Sequence, residues 1–125
     1  MFLKLRDICF FFEKATENNV FFNKKNYQFY STEERDFIVY EESYEPCDFL
    51  LIPKIDQKKI IEKFLLANNN NKLLRRMDEK DFSRLFHWYL EDNQKVDDWL
   101  KFEQFVLIDF ASKWCEQNSI IYTRK

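Results

Sequence analysis

Not one of the chain's 125 residues is glycine, where average usage would supply roughly nine. Glycine lets a backbone take positive φ and approach a ligand closely, and phosphate-cradling loops depend on both properties. A P-loop, a dinucleotide-binding G-x-G-x-x-G turn and a G-x-S-x-G nucleophile elbow therefore cannot be written in this sequence. Nucleotide-dependent catalysis by those routes is excluded. Any turn that requires the left-handed region must take another residue, Asn being the next most tolerant. Pro is also scarce at two residues while Phe reaches fifteen, the bias of an AT-rich genome.

A chain of this length fits one domain. With 46% hydrophobic and 19% aromatic residues it can fill a core with rings, which rules out global disorder. The net charge of −2 and pI near 5.5 speak against a non-specific DNA coat. Cys9, Cys47 and Cys115 have neither metal-ligand nor redox spacing, so buried free thiols in a reducing cytoplasm are expected. Lys4, Arg6 and Asp7 break up the apolar N-terminal stretch, and residues 8–12 form its longest uninterrupted run. That is too short for a signal peptide core or a membrane span, so the expectation is a cytoplasmic protein with no membrane contact.

Periodicity divides the chain. In residues 3–15, Leu5, Ile8, Cys9 and Phe12 share one helical face, with Leu3 and Phe10 roughly opposite. Residues 20–23 and 27–31 are β-rich and flank a polar turn, which reads as a hairpin with Asn26 in the left-handed position. A second extended pair is expected at 36–40 and 48–52. Beyond Pro53 the period becomes helical. Asp56 caps a helix to about Ala67 with Ile60, Ile61, Phe64 and Leu65 inward. Helices follow at 72–77 and at 79–91, the latter with Phe82, Leu85, Phe86 and Tyr89 inward. The last, at 97–117, carries apolar residues around most of its circumference, Trp99, Leu100, Phe102, Phe110 and Trp114 among them. Its polar sector is Lys101, Asp109, Ser112 and Glu116, and such a helix normally forms the centre of a domain. The expected architecture is a single α+β domain over 1–125, with a helix-and-sheet part at 1–52 and a helical part at 53–125.

Phe86, Trp99, Phe102, Ala111, Trp114, Cys115, Glu116, Asn118, Ile120 and Tyr122 form a pattern that resembles the bacterial proteins grouped as uncharacterised protein family 0158. Those proteins carry an aromatic–basic segment of the type G-A-F-R-R-F-K-D, then W-Y-x-F, then a helix ending A-x-E-W-C/L-x-x-N-G-I. The resemblance is best over residues 82–122 and implies the same order of elements upstream. Asn26 and Ser119 stand where the family has glycine. The basic segment is reduced to D-F-S-R-L-F-H-W: Arg84 and Phe86 match, Leu85 replaces a basic residue and His87 replaces Lys. The family has no settled activity, so the resemblance implies a fold and not a function.

His87 is the only histidine, and its helical neighbours Ser83, Arg84 and Glu91 form a solvated pattern without an evident nucleophile pair. Asp78–Glu79 and Asp97–Asp98 are adjacent pairs that do not face each other on a helix, and they read as favourable charges at helix starts. Neither catalytic nor metal-ligand residues emerge, no cofactor is implied, and the expectation is a protein that is not an enzyme. Two charged faces remain. Residues 33–48 hold seven carboxylates against Arg35 alone, interleaved with aromatics. This is either a solvated edge or an acidic–aromatic partner surface of Tyr40, Glu41, Glu42, Tyr44, Glu45 and Phe49. The basic counterpart is Lys72, Arg75, Arg76, Lys80, Arg84 and His87, of which Arg76, Lys80 and Arg84 would lie four apart on one row if the helix continued between them. The favoured expectation is stoichiometric association with a protein or nucleoprotein partner. A bacterial, phage or mobile-element inhibitor of a nuclease or nucleoprotein defence complex fits this description. The alternative is an RNA- or DNA-contacting module that uses the basic 72–84 patch.

Overall fold

The computed structural model describes the backbone of residues 1–41 and 44–124, and the side chains of these apart from 37–41. The fold is α+β with a helical C-terminal half. It comprises two compact units, Met1–Ile55 with Leu107–Lys125, and Asp56–Val106.

In the first unit, helix α1 (Leu5–Lys14) buries Leu5, Ile8, Cys9 and Phe12, the face that the apolar spacing selects. Strand β1 (Leu3–Lys4) precedes it and pairs in parallel with β5 (Tyr122–Thr123), Leu3 opposite Tyr122. Leu3 is buried as part of that strand, whereas Phe10 is exposed beneath the Lys14 ammonium, 4.7 Å from the ring centre. A three-stranded antiparallel sheet has the order β3 (Gln28–Ser31), β2 (Val20–Asn23), β4 (Phe49–Leu51).

The expected hairpin joins β2 and β3, but its left-handed residue is Tyr27 (φ 59°), not Asn26. The Asn23 side chain explains this: its Oδ1 accepts the N–H groups of Lys25 (2.8 Å) and Asn26 (3.2 Å). The first three loop residues are thereby wound into a turn, and the reversal of hand falls on the fourth. Asn26 braces the hairpin instead, accepting from Gln28 N–H and donating to the Tyr30 hydroxyl. The Tyr27 ring packs edge-on against Phe22 at 5.2 Å, and its hydroxyl accepts from Ile121 N–H at 3.3 Å.

Residues 36–40 are not a strand. They belong to helix α2 (Thr32–Glu41), and β4 pairs with β2 instead. The helix starts at a reciprocal cap: Ser31 Oγ accepts from Glu34 N–H and Glu34 Oε1 accepts from Ser31 N–H, with Glu33 and Glu34 favourable in the first turn. This start overrides the β-rich composition of Phe37, Ile38, Val39 and Tyr40. Arg35 lies over the Phe21 ring at 4.2 Å, so α2 covers the outer face of the sheet.

The core of this unit is a cluster of rings. Phe12 is fully buried and meets Phe110 and Trp114 edge-on at 5.7 and 5.4 Å, and Phe22 meets Trp114 at 5.7 Å. Leu107, Ala111, Trp114 and Cys115 of the long helix α6 (Val96–Gln117) complete it.

In the second unit, α3 (Gln57–Ala67) begins at Asp56, whose carboxylate accepts from Lys58 N–H. Helix α4 (Asn71–Leu74) and α5 (Phe82–Asp92) follow, shorter than the patterns at 72–77 and 79–91 suggest. Phe64, Phe86 and Trp99 meet in a mutual edge-to-face triad at 5.1–6.3 Å, and Phe82 stacks on Phe86 at 6.0 Å. Along α6, Trp99 and Trp114 are buried as expected, but Phe102 and Phe110 are only partly so and Leu100 is 54% exposed. Ser112, assigned to the polar sector, is buried because its hydroxyl donates to the Ile108 carbonyl one turn back at 2.7 Å.

Three helices end without glycine in the same way. Asn69, Gln94 and Ser119 adopt φ of 57°, 54° and 56°. The following amides reach back to Leu65, Leu90 and Cys115 carbonyls at 2.9, 2.7 and 2.8 Å, which is the Schellman arrangement. Among the described residues, no helix is long and apolar enough to cross a membrane.

Candidate functional site

The apolar stripe of α5, Phe82, Phe86 and Leu90, leaves one face of that helix to solvent. Arg84 and Trp88 are four residues apart there, hence neighbours on the surface. The guanidinium lies 5.1 Å from the Trp88 ring centre, and the indole is 50% exposed. Asp81 Oδ2 is 3.6 Å from Arg84 Nη2. His87 Nε2 pairs with Glu91 Oε1 at 3.0 Å on the same exposed face. Lys80, Asp81, Ser83, Arg84 and His87 line a shallow concavity of about 640 Å³. Ser83 lies one turn before His87, and among the described residues the two share no hydrogen bond.

The basic residues do not form one continuous helical row. Helix α4 ends at Leu74 and α5 starts at Phe82, so Arg76, Lys80 and Arg84 are not stacked at successive turns. Arg76 is held by Glu79 at 2.8 Å. Lys72, Arg75 and Lys80 are exposed and, among the described residues, make no salt bridge. Arg75 instead lines a separate concavity with Asp56, Lys58 and Glu62, so the α5 concavity offers one uncommitted cation, Lys80, and one guanidinium stacked on an exposed indole. Trp88 is absent from the sequence-derived site, yet the signal was there: it is out of phase with Phe82, Phe86 and Tyr89 and in phase with Arg84.

The acidic–aromatic surface is altered more. Phe49, opposite Asn23 in the sheet, is 9% exposed and packs edge-on to Tyr30 at 6.0 Å, which removes it as a partner anchor. Asp48 is also buried, accepting from Glu45 N–H at 2.8 Å and facing Lys25 Nζ at 3.4 Å. Tyr44 is half-buried and Glu45 exposed. Tyr40 and Glu41 belong to α2 by their backbone, and their side chains, like Glu42 altogether, lie outside the described residues.

Asp97 and Asp98 occupy the first turn of α6, as expected. Asp78 and Glu79 instead precede α5. A hydrogen bond from Lys58 Nζ at 2.8 Å holds the Asp78 carboxyl below its usual range and raises the Lys58 ammonium. Cys47 is exposed, against the expectation for all three thiols, because the 3₁₀ turn of residues 46–48 turns it outward. Cys9 and Cys115 are buried. Among the described residues, no group of three His, Cys, Asp or Glu side chains could hold a metal ion.

No family model, curated protein or solved structure matches the chain.

Proposed function

We propose that the protein is a non-catalytic binding module that associates stoichiometrically with single-stranded nucleic acid through the exposed face of α5. The observation that carries this reading is Trp88, half exposed with Arg84 against it, beside the uncommitted Lys80. Sequence-tolerant binders of single strands combine cations that follow the backbone with aromatic rings on which bases stack. Stacking of the Arg84 guanidinium on Trp88 leaves the indole's other face open to a base. The chain's overall negative charge limits this to a local contact and disfavours coating of duplexes.

Fluorescence tests the proposal directly. Trp99 and Trp114 are buried, so a base stacking on Trp88 quenches the exposed component of the emission. Titration with an unstructured oligouridylate at low salt is expected to give saturable quenching, and Trp88→Ala, read by mobility shift because the reporting indole is gone, is expected to bind more weakly. Absence of quenching and of any mobility shift in a gel would sink the reading.

A second reading is stoichiometric blockade of a basic channel on a nuclease or nucleoprotein complex by the acidic segment. It is favoured by the exposure of Glu33, Glu34 and Glu45. It predicts that reversal of Glu33 and Glu45 to Lys weakens binding to such a complex while Trp88→Ala leaves it unchanged.

A further inference from the structure

The first unit contains an unguarded sheet edge beside a groove. Ile52 N–H donates to the Val20 carbonyl at 2.9 Å and Lys24 N–H to the Asp48 carbonyl at 2.8 Å. Residues 20, 22 and 24 therefore turn their backbone groups toward β4, and residues 21 and 23 turn theirs toward β3. Tyr30 is opposite Phe21 and Gln28 opposite Asn23, so these two bond to β2. Phe29, between them, directs both its N–H and its carbonyl away from the sheet. The edge is short at four residues and the Ser31 amide is taken by Glu34, but β3 reads Gln-Phe-Tyr-Ser and carries no Lys, Pro or bulge, so the Phe29 pair stays open.

Along this edge runs a groove of about 590 Å³. Its floor is Phe29 stacked on Phe11 at 4.3 Å with the rings 13° from parallel, both partly buried. Lys14 and Asn18 form one wall, and Thr32 and Glu33 in the first turn of α2 form the other. Glu33 is exposed and, among the described residues, makes no ion pair, whereas Glu34 is occupied by Ser31.

We propose that this groove takes an extended peptide of a partner protein as an added strand beside β3. One peptide residue exchanges N–H and carbonyl bonds with Phe29. The side chains alternate as in any strand, so an apolar residue of the peptide settles on the Phe11–Phe29 stack and a neighbouring Lys or Arg reaches Glu33. Main-chain bonds supply affinity, and the ring floor and the carboxylate supply selection. The inference concerns a different unit from α5 and does not depend on the nucleic-acid reading.

Random peptides displayed on phage and selected on the whole protein are the probe. Enriched sequences are expected to alternate apolar and polar residues and to include a basic one. Phe29→Pro removes the outward N–H at an edge position where proline is tolerated; Phe29→Leu keeps it and controls for loss of the ring. The synthesised peptide is expected to bind Phe29→Pro about tenfold more weakly than Phe29→Leu, the worth of one backbone hydrogen bond. If the proline variant does not fold, amide exchange in the wild type decides: the Phe29 amide exchanges quickly in the free protein and slowly once the peptide is bound. Failure to enrich any peptide, equal binding to the two variants, or unchanged exchange at Phe29 overturns the proposal.

Discussion

Ser31 and Glu34 cap each other: the Glu34 amide donates to Ser31 Oγ at 3.2 Å and the Ser31 amide donates to Glu34 Oε1 at 3.0 Å. This pair turns a chain leaving β3 directly into α2. The bonds from Ser31 hold the Glu34 carboxyl below its usual range, with a smaller contribution from Lys14. A carboxylate with a depressed pKa stabilises the fold fully above its unfolded value of about 4.3, and the effect is lost as pH falls through the lowered value. Ser31→Ala is expected to cost about 1 kcal/mol at neutral pH, measured by urea unfolding. Glu34→Gln keeps an acceptor and is expected to flatten the pH dependence below about pH 4.3. An unchanged acid profile in Glu34→Gln would show that the cap is not formed in solution.

The same pair shows what was legible in the sequence. The apolar faces of α1, α3 and α5 follow from spacing alone, since burial of one helical face is a local rule. The start of α2 was also written, as Ser-Thr-Glu-Glu, but it competes with the β-branched and aromatic residues that follow, and only the capped first turn decides between them. Phe49 was beyond reach for a different reason, whereas Trp88 was legible from its helix phase with Arg84. Phe49 follows the acidic segment, and whether its ring turns in or out depends on the pairing of β4 with β2, a contact distant in sequence. The burial of Ser112 could not be read from polarity, because its hydroxyl is satisfied within its own helix.

A chain without glycine must accept strain at its left-handed residues, and replacing those residues tests how much. Gln94 and Ser119 occupy helix-terminating positions with φ of 54° and 56°, where a side chain costs about 1 kcal/mol. Gln94→Gly and Ser119→Gly are each expected to stabilise the protein by roughly 0.5–1 kcal/mol after the entropy cost of glycine is subtracted. Tyr27→Gly is expected to do the opposite, although Tyr27 has φ of 59°, because it loses the ring contact with Phe22 and the hydroxyl that accepts from Ile121. Thermal unfolding of the three variants checks the contrast. A rise in Tm for all three would mean that backbone strain outweighs packing at Tyr27 as well.

Thiol chemistry is expected to separate Cys47 from the other two cysteines. Burial, then the neighbouring Cys9 and Glu116, push the Cys115 thiol up to about 12, and burial followed by Glu13 also raises Cys9. Thiolate is the reactive form, so neither should react at neutral pH while the fold holds. Titration with a chromogenic disulfide is expected to release one fast equivalent per native chain, from exposed Cys47, and three in guanidinium. Fast reaction of a second thiol in the native state would place Cys9 or Cys115 at the surface.

The α5 face makes the most specific functional prediction. Lys80 and Arg84 are the cations of this concavity that can meet phosphates, and each neutralised phosphate on a single strand steepens the salt dependence of log K by about 0.7. If both engage, the slope against log salt is expected to be about −1.4, by the same relation. Lys80→Glu should reduce its magnitude by about one contact or more, with the fold intact because that side chain is exposed and makes no salt bridge among the described residues. Trp88→Ala is expected to weaken binding by about 1–3 kcal/mol with little change in slope, since stacking releases no counterions. The two variants thus separate charge from stacking. A slope near zero, or a Trp88→Ala variant that binds as tightly as the wild type, would exclude this face as a nucleic-acid surface and return the weight to the acidic segment and its protein partner.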